Sequence, residues 1–320
     1  MRKQTNLAEV KLTALALLST EINETPYSPM IVKHPFPDTG VSAIPDGKCG
    51  VEMIDLTEDD AQVRWRQSMA RQIDKADSAY AIYMMVTKPY AVTFLKFAMP
   101  HLSREDMSQI LASAWTRSEA PHQDVNVTVN QLLRMFKQAD PTCLMEQDEY
   151  IQFKTLDDTV TVYRGVTPHN AKSVKALSWS LSQETAEWFA HRFGENGTVY
   201  EAQIDKKHIY AYFGGRNESE VIVDPSYLTS GNQNSNQSDN SSNPNGHRRY
   251  TEFHINRITN NSSELLTNQH KSHTDTAHTS QNAKRNTDNT YCQCLKQHHL
   301  PQLFLGCTNG RKQTKLFCSF

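Results

Sequence analysis

No stretch of this chain approaches the ~20 consecutive apolar residues that a membrane-spanning helix needs, which excludes a membrane span. Cysteine is scarce, 6 residues in 320. Cys49 and Cys143 are far apart, and Cys292, Cys294, Cys307 and Cys318 follow much later, a distribution that does not suggest a disulfide framework. Cys292 and Cys294 with His298, His299 and Cys307 match no common zinc-finger spacing, so no metal is expected there. Apolar residues make up a lowish 38%, and the deficit is uneven. The net charge of −2 hides a further asymmetry: residues 229–320 hold 10 Lys/Arg against 5 Asp/Glu, and the preceding residues 23 against 30. The body is therefore acidic and the C-terminal part mildly basic, with 7 of the 13 histidines.

What is present falls into four parts. Residues 1–54 read as an N-terminal arm or linker. The apolar segment 12–18 lies behind Glu9, sits at the lower length limit of a signal-peptide core and lacks a clear small-x-small cleavage site. It reads better as a short amphipathic helix. Pro26, Pro29, Pro35, Pro37 and Pro45 mark an extended, turn-rich connection. Residues 55–152 read as helical. Trp65, Met69, Ile73, Ala76 and Tyr80 recur at three- and four-residue steps and predict one helix face. An apolar run over 90–99 stops at Pro100. Ser103 predicts a cap for a helix lined by Met107, Ile110, Leu111, Ala114 and Trp115, and Thr128 a cap for one carrying Leu132, Leu133 and Phe136. The polar run Trp115-Thr116-Arg117-Ser118-Glu119 beside a core aromatic reads as a solvated helix end. Residues 153–260 carry the strands, interrupted by a polar, low-complexity insertion over about 229–248 that composition predicts to be disordered. Strand alternation resumes at Tyr250 to Ile258. Residues 261–320 show no sustained periodicity and read as a low-complexity tail.

The chemistry-bearing residues lie between positions 161 and 225. Thr161-Val162-Tyr163-Arg164-Gly165, Ser178-Trp179-Ser180-Leu181-Ser182 and Glu218-Ser219-Glu220-Val221-Ile222-Val223 each alternate apolar and polar residues among β-branched neighbours, the pattern of strands. Side chains two apart on a strand share a face. Val160, Val162 and Arg164 therefore point one way, as do Ser178 and Ser180, and Glu218 and Glu220. A guanidinium, a hydroxyl pair and a carboxylate pair, each on a strand, suit an anionic dinucleotide with a reactive ribose. Isolated, each piece would be an ordinary strand edge. The three in this order, with Ala186-Glu187-Trp188-Phe189-Ala190-His191-Arg192 after the serines, form a more specific pattern.

That pattern resembles the arginine–serine–glutamate group of mono-ADP-ribosyltransferases, which includes bacterial toxins and effectors, over roughly residues 155–260. The resemblance implies an α+β protein: a helical N-terminal region, then a two-sheet transferase core, then a disordered C-terminal tail. It implies NAD as the substrate, with no metal. Arg164 would clamp the pyrophosphate through forked hydrogen bonds, and the backbone at Gly165 would hold the nicotinamide carboxamide. Ser178 would hold Glu220 and the ribose, and Ser180 would brace the neighbouring strand. Phe189 and Arg192 stand at the separations of a nicotinamide-stacking ring and a second phosphate-binding guanidinium. Glu220 would be the catalytic carboxylate and Glu218 would face the incoming nucleophile. A Glu-x-Glu pair goes with arginine as acceptor, because an ionised carboxylate can orient a guanidinium and take its proton. The turn Gly214-Gly215-Arg216-Asn217 would meet the acceptor, with Tyr212 or Phe213 as anchor.

The expected function is thus transfer of ADP-ribose from NAD to a protein arginine, with a host protein as a fitting acceptor. The expected location is secreted or delivered into a host cytosol, and otherwise cytoplasmic. Two other readings stay open: an NAD glycohydrolase on the same fold, and a non-catalytic interaction module on a decayed one. Nucleic acid is the less favoured acceptor given the acidic body, though the basic tail leaves it open.

Overall fold

Helix starts follow the capping residues. A computed structural model of the chain describes residues 4–26, 28–118, 120–170, 172–229 and 256–258. Helix α1 (Leu7–Leu18) is capped by Asn6 and buries Val10, Ala14 and Leu18, one residue per turn. Between positions 19 and 54, where the prolines suggest a linker, the chain forms two antiparallel hairpins. These are β1 (Asn23–Thr25) with β2 (Ser28–Lys33), and β3 (Val41–Pro45) with β4 (Val51–Asp55). Proline is tolerated because a two-stranded sheet has only edge strands, where an N–H facing away from the partner belongs to no ladder. The β3–β4 turn is held by Asp46, whose Oδ1 accepts from the backbone N–H of Lys48 at 2.7 Å and of Gly50 at 2.8 Å.

The stripe running from Trp65 to Tyr80 is two helices. Helix α2 (Asp59–Lys75) ends where Ala76 turns extended, and α3 (Ala79–Tyr83) restarts with Ser78 accepting from Ala81 N–H. A serine able to cap the next turn competes with continuing the old one. Helix α4 (Ala91–Ala98) stops just before Pro100. Helix α5 (Arg104–Arg117) is capped by Ser103, carries Glu105 and Asp106 in its first turn and Arg117 in its last, all favourable to the helix dipole. Helix α6 (Val129–Gln138) begins with a reciprocal Thr128–Gln131 capping box. Helix α7 (Pro141–Leu144) and helix α8 (Gln147–Thr155) complete the series.

The strands that follow are β5 (Thr159–Val166), β6 (Ser178–Ser180), β7 (Thr198–Asp205), β8 (Ile209–Phe213), β9 (Glu220–Val223) and β10 (Asn256–Ile258), with α9 (Gln183–Ala190) between β6 and β7. They form one six-stranded antiparallel sheet in the order β10-β7-β5-β6-β9-β8. The expected two-sheet core is therefore a single hydrogen-bonded sheet with a weak seam. Eight residue pairs join β5 to β7, but only Tyr163↔Ser180 joins β5 to β6.

Strand alternation sends Ile222, Ala211 and Phe213 into the core made with the helices, and Val160, Val162, Trp179, Ala202, Ile204, Val221 and Val223 into a second core on the other face. The helical core is continuous from Val10 to Ile222, so the parts 1–54 and 55–152 and the strands up to Ile222 share it. Lys137 on α6 donates from Nζ to Asp224 Oδ2 at 2.6 Å, fastening the helices to the end of β9. The insertion at about 229–248, all but its first residue, and the cysteine- and histidine-bearing part after 260 lie outside the described residues. Of the strand expected at Tyr250 to Ile258, β10 is described, and it forms the sheet edge next to β7.

Candidate functional site

Glu220 opens β9 and Ser178 opens β6. The register Ser178↔Ile222 and Ser180↔Glu220 puts the serines and Glu220 on the face that meets the helices. Ser178 Oγ donates to Glu220 Oε1 at 2.5 Å. From the last turn of α5, Trp115 Nε1–H lies 3.2 Å from both carboxylate oxygens. The indole is seated edge-on against Phe136, with ring centroids 5.2 Å apart. Ser180 Oγ donates to the Glu218 carbonyl at 2.7 Å and accepts from Ser182 N–H at 2.9 Å, which ties the approach to β9 onto β6.

Glu220 is only 6% exposed. Burial raises its pKa above the ordinary carboxylate range, while Ser178, Trp115 and Arg216 pull it down and Glu218 pushes it up. The two donated hydrogen bonds and the flanking guanidinium favour the ionised form against burial, and in that form the carboxylate is a preorganised negative charge.

Glu218 does not share a strand face with Glu220. The strand starts at Glu220, and Ser219 takes φ 45°, with Asn217 at φ 56° in the preceding turn. Left-handed conformations at two non-glycine residues cost energy and bend the chain locally. The two carboxylates converge by another route, on Arg216. Its Nη2 lies 3.1 Å from Glu218 Oε2 and 3.6 Å from Glu220 Oε2. The turn itself is tied to α8 by Gly214 N–H donating to Glu149 Oε1 at 2.8 Å. Phe213 is buried in the helical core at 5% exposure, which removes it as an anchor for an outside protein. Tyr212 is half-buried.

Arg164 on β5 reaches toward β6 and the loop before it. Its Nε donates to the Ser173 carbonyl at 3.0 Å and its Nη1 to the Ser178 carbonyl at 2.5 Å. Burial lowers its pKa to about 10, with Glu220 acting in the opposite direction, so it stays cationic at neutral pH. Two of its three nitrogens thus brace the β5–β6 loop. Among the described residues Nη2 and the second Nη1 proton are left to meet a phosphate, less than the open fork that the sequence suggests. His122 stands near this guanidinium, its pKa lowered by burial and then by Arg164.

No family description, curated protein or solved structure matches this chain.

Gly165 serves packing. A Cβ there would lie 2.0 Å from the Ala186 carbonyl and 2.6 Å from Ala190 N, so α9 rests directly on the strand backbone. Phe189 and Arg192 belong to a different cluster from Glu220. Phe189 meets Trp188 edge-on at 4.9 Å. The Arg192 guanidinium lies over the rings of Trp188 and Phe193, at 5.4 and 4.7 Å. Trp188 is 59% and Phe193 85% exposed, so this is a solvent-facing cation–π group, joined to the carboxylates by no described hydrogen bond or ion pair.

Two residues at the site escape the motif pattern. Trp115 reads in sequence as core, and Arg216 as part of an acceptor-facing turn. The polar run after Trp115 was the one available hint for the first. Among the described residues, no cluster of three or more His, Cys, Asp or Glu is placed to hold a metal, and no helix is long and apolar enough to cross a membrane.

Proposed function

We propose that this protein transfers ADP-ribose from NAD to a protein arginine and releases nicotinamide. The observation that carries the reading is the buried Glu220 carboxylate, held by Ser178 and Trp115, with a guanidinium spanning Glu218 and Glu220. NAD brings a nicotinamide leaving group that already carries positive charge. Cleaving its bond to the ribose places developing positive charge at C1′, as in glycoside hydrolysis. Glu220 supplies fixed negative charge beside that centre, in surroundings too dry to screen it. Ser178 and Trp115 fix its orientation before the reaction, so little reorganisation is needed. Arg164, on the seam between the sheet halves, offers its remaining N–H groups to the pyrophosphate. Glu218, 26% exposed, would orient an incoming guanidinium and accept its proton. The reading includes a toxin- or effector-like role, with a protein of another cell as acceptor.

The test is incubation of the purified full chain with labelled NAD and cell lysate, following nicotinamide release and label on protein. Label on arginine supports the proposal. Nicotinamide without label would make water the acceptor and the protein an NAD glycohydrolase. The absence of both nicotinamide release and label would overturn the enzyme reading.

Two variants sharpen it. Glu218→Gln is expected to keep nicotinamide release and lower arginine labelling by about 10²-fold, the usual worth of a proton acceptor. Trp115→Phe keeps the ring against Phe136 but removes the N–H that lowers the Glu220 pKa. That pKa then rises further, so the acidic limb of the nicotinamide-release profile moves to higher pH. The rate at neutral pH should fall roughly tenfold or more, since a hydrogen bond to a charged group contributes ~1.5–3 kcal/mol. An unshifted profile would make Trp115 a packing residue only.

A further inference from the structure

The guanidinium that spans Glu218 and Glu220 belongs to the chain itself. We infer that Arg216 is an ADP-ribosylation site of this protein on itself, held in the position an acceptor arginine would take. The inference rests on the transferase reading and goes beyond it by naming an acceptor.

Three observations carry it. Arg216 Nη2 contacts both carboxylates of the pair, at 3.1 Å to Glu218 and 3.6 Å to Glu220. The Arg216 side chain is 42% exposed while that of Glu220 is 8% exposed, so the arginine lies on the solvent side of the buried carboxylate. The turn that presents it is bent by positive φ at Asn217 and Ser219 and tied down through Gly214 to Glu149. A loose surface arginine would need no such backbone. Strain of this kind persists where the surroundings over-determine the conformation. A guanidinium over two carboxylates also makes Arg216 a competitor for any outside arginine until it is modified or displaced.

The step balances with NAD as the only co-reactant. A nitrogen of the Arg216 guanidinium forms a bond to ribose C1′ as the C1′–nicotinamide bond breaks. The bonding pair leaves with nicotinamide, which departs neutral. The attacking nitrogen loses one proton to Glu218, which passes it to water, and the ADP-ribosylated guanidinium keeps its positive charge. Attachment would add to the guanidinium a bulky group with two pyrophosphate charges, and the enlarged side chain, now net anionic, cannot stay between two carboxylates. Modification therefore expels the side chain and opens the site.

The experiment incubates the full chain with NAD alone, then with NAD and agmatine, a small guanidine acceptor. Nicotinamide release is followed, and modified peptides are mapped by mass spectrometry. Wild-type protein is expected to gain one ADP-ribose on Arg216 at a rate independent of protein concentration. Arg216→Ala is expected to lose that mark and to label agmatine several-fold faster at early times, because the competing guanidinium is gone. Arg216→Lys keeps a cation over the carboxylates but has no guanidine, so it should lose the mark without the same gain on agmatine. Labelled agmatine with an unmodified Arg216 would overturn the inference and leave the transferase reading standing, as would a self-mark on another residue. No nicotinamide release with or without agmatine would overturn both.

Discussion

Glu220→Gln should lower nicotinamide release from NAD by about 10²–10³-fold, the loss found when one preorganised electrostatic group is removed from a site. The same variant should be more stable than the wild type at neutral pH. Glu220 is buried, and burial raises its pKa from the ordinary 4.5. A group whose pKa is raised on folding contributes stability that is fully present below its unfolded-state pKa and is lost as pH rises through the folded-state value. Above its unfolded-state pKa Glu220 therefore works against folding, despite the hydrogen bonds from Ser178 and Trp115. Glutamine keeps the shape and has no charge to desolvate. Thermal unfolding of both proteins near pH 4 and pH 7.5 checks the sign. The variant's advantage should appear at the higher pH and shrink at the lower. A variant that is inactive and destabilised at pH 7.5 would show that the Glu220 hydrogen bonds outweigh its desolvation, and the site would then read as structural. The combination of lost activity with gained stability is what a functional buried charge produces.

Gly165→Ala should have the largest effect on stability. The added Cβ would lie 2.0 Å from the carbonyl of Ala186 and 2.6 Å from the backbone N of Ala190. Neither is the end of a flexible side chain, so α9 as a whole must lift from β5. Overpacking of this kind costs on the order of 3 kcal/mol, equivalent to a fall in Tm of roughly 6–12 °C for a domain of this size. Gly197→Ala should behave alike, since its Cβ would meet the Ala190 and Val166 carbonyls at 2.2 and 2.4 Å. Gly215→Ala is the control, with nothing nearer than Glu149 Oε1 at 4.0 Å, and should unfold within a degree or two of wild type. Chemical denaturation of the three variants would separate them. An unchanged midpoint for Gly165→Ala would mean that α9 does not rest on this strand.

Arg164 and Gly165 illustrate how one motif can serve two purposes. In sequence they read as a phosphate clamp and a close backbone approach to a ligand. In the fold Arg164 holds the β5–β6 loop through the carbonyls of Ser173 and Ser178, and Gly165 admits α9. A tightly braced arginine is still a fixed positive charge beside Glu220, but its capacity to grip a pyrophosphate is smaller than an open fork would allow. Removing it would act on the loop as well as on any ligand, so loss of activity in an Arg164 variant would not by itself identify phosphate binding.

By itself the sequence determined what depends on neighbours a few residues away. The helix starts at Ser103 and Thr128 are legible because a side-chain oxygen caps an N–H three residues on. The strands at Arg164, Ser178 and Glu220 are legible because alternation has a period of two and reports burial on one face. The break at Ser78 was hidden because an apolar stripe continues through it at helical spacing, and only the cap shows that the helix ends. The hairpins before position 55 were hidden because proline argues against a sheet interior, whereas a two-stranded sheet has none.

Tertiary structure decided the site. The bond from Trp115 to Glu220 spans 105 residues and that from Ser178 spans 42. No periodicity carries across such distances, because these contacts form only when the α5 end is packed against the β9 face. The left-handed Ser219 decided that Glu218 and Glu220 meet through Arg216 and not along a shared strand. That choice depends on the turn being fastened to β6 through Ser180 and to α8 through Glu149, partners that local sequence cannot name.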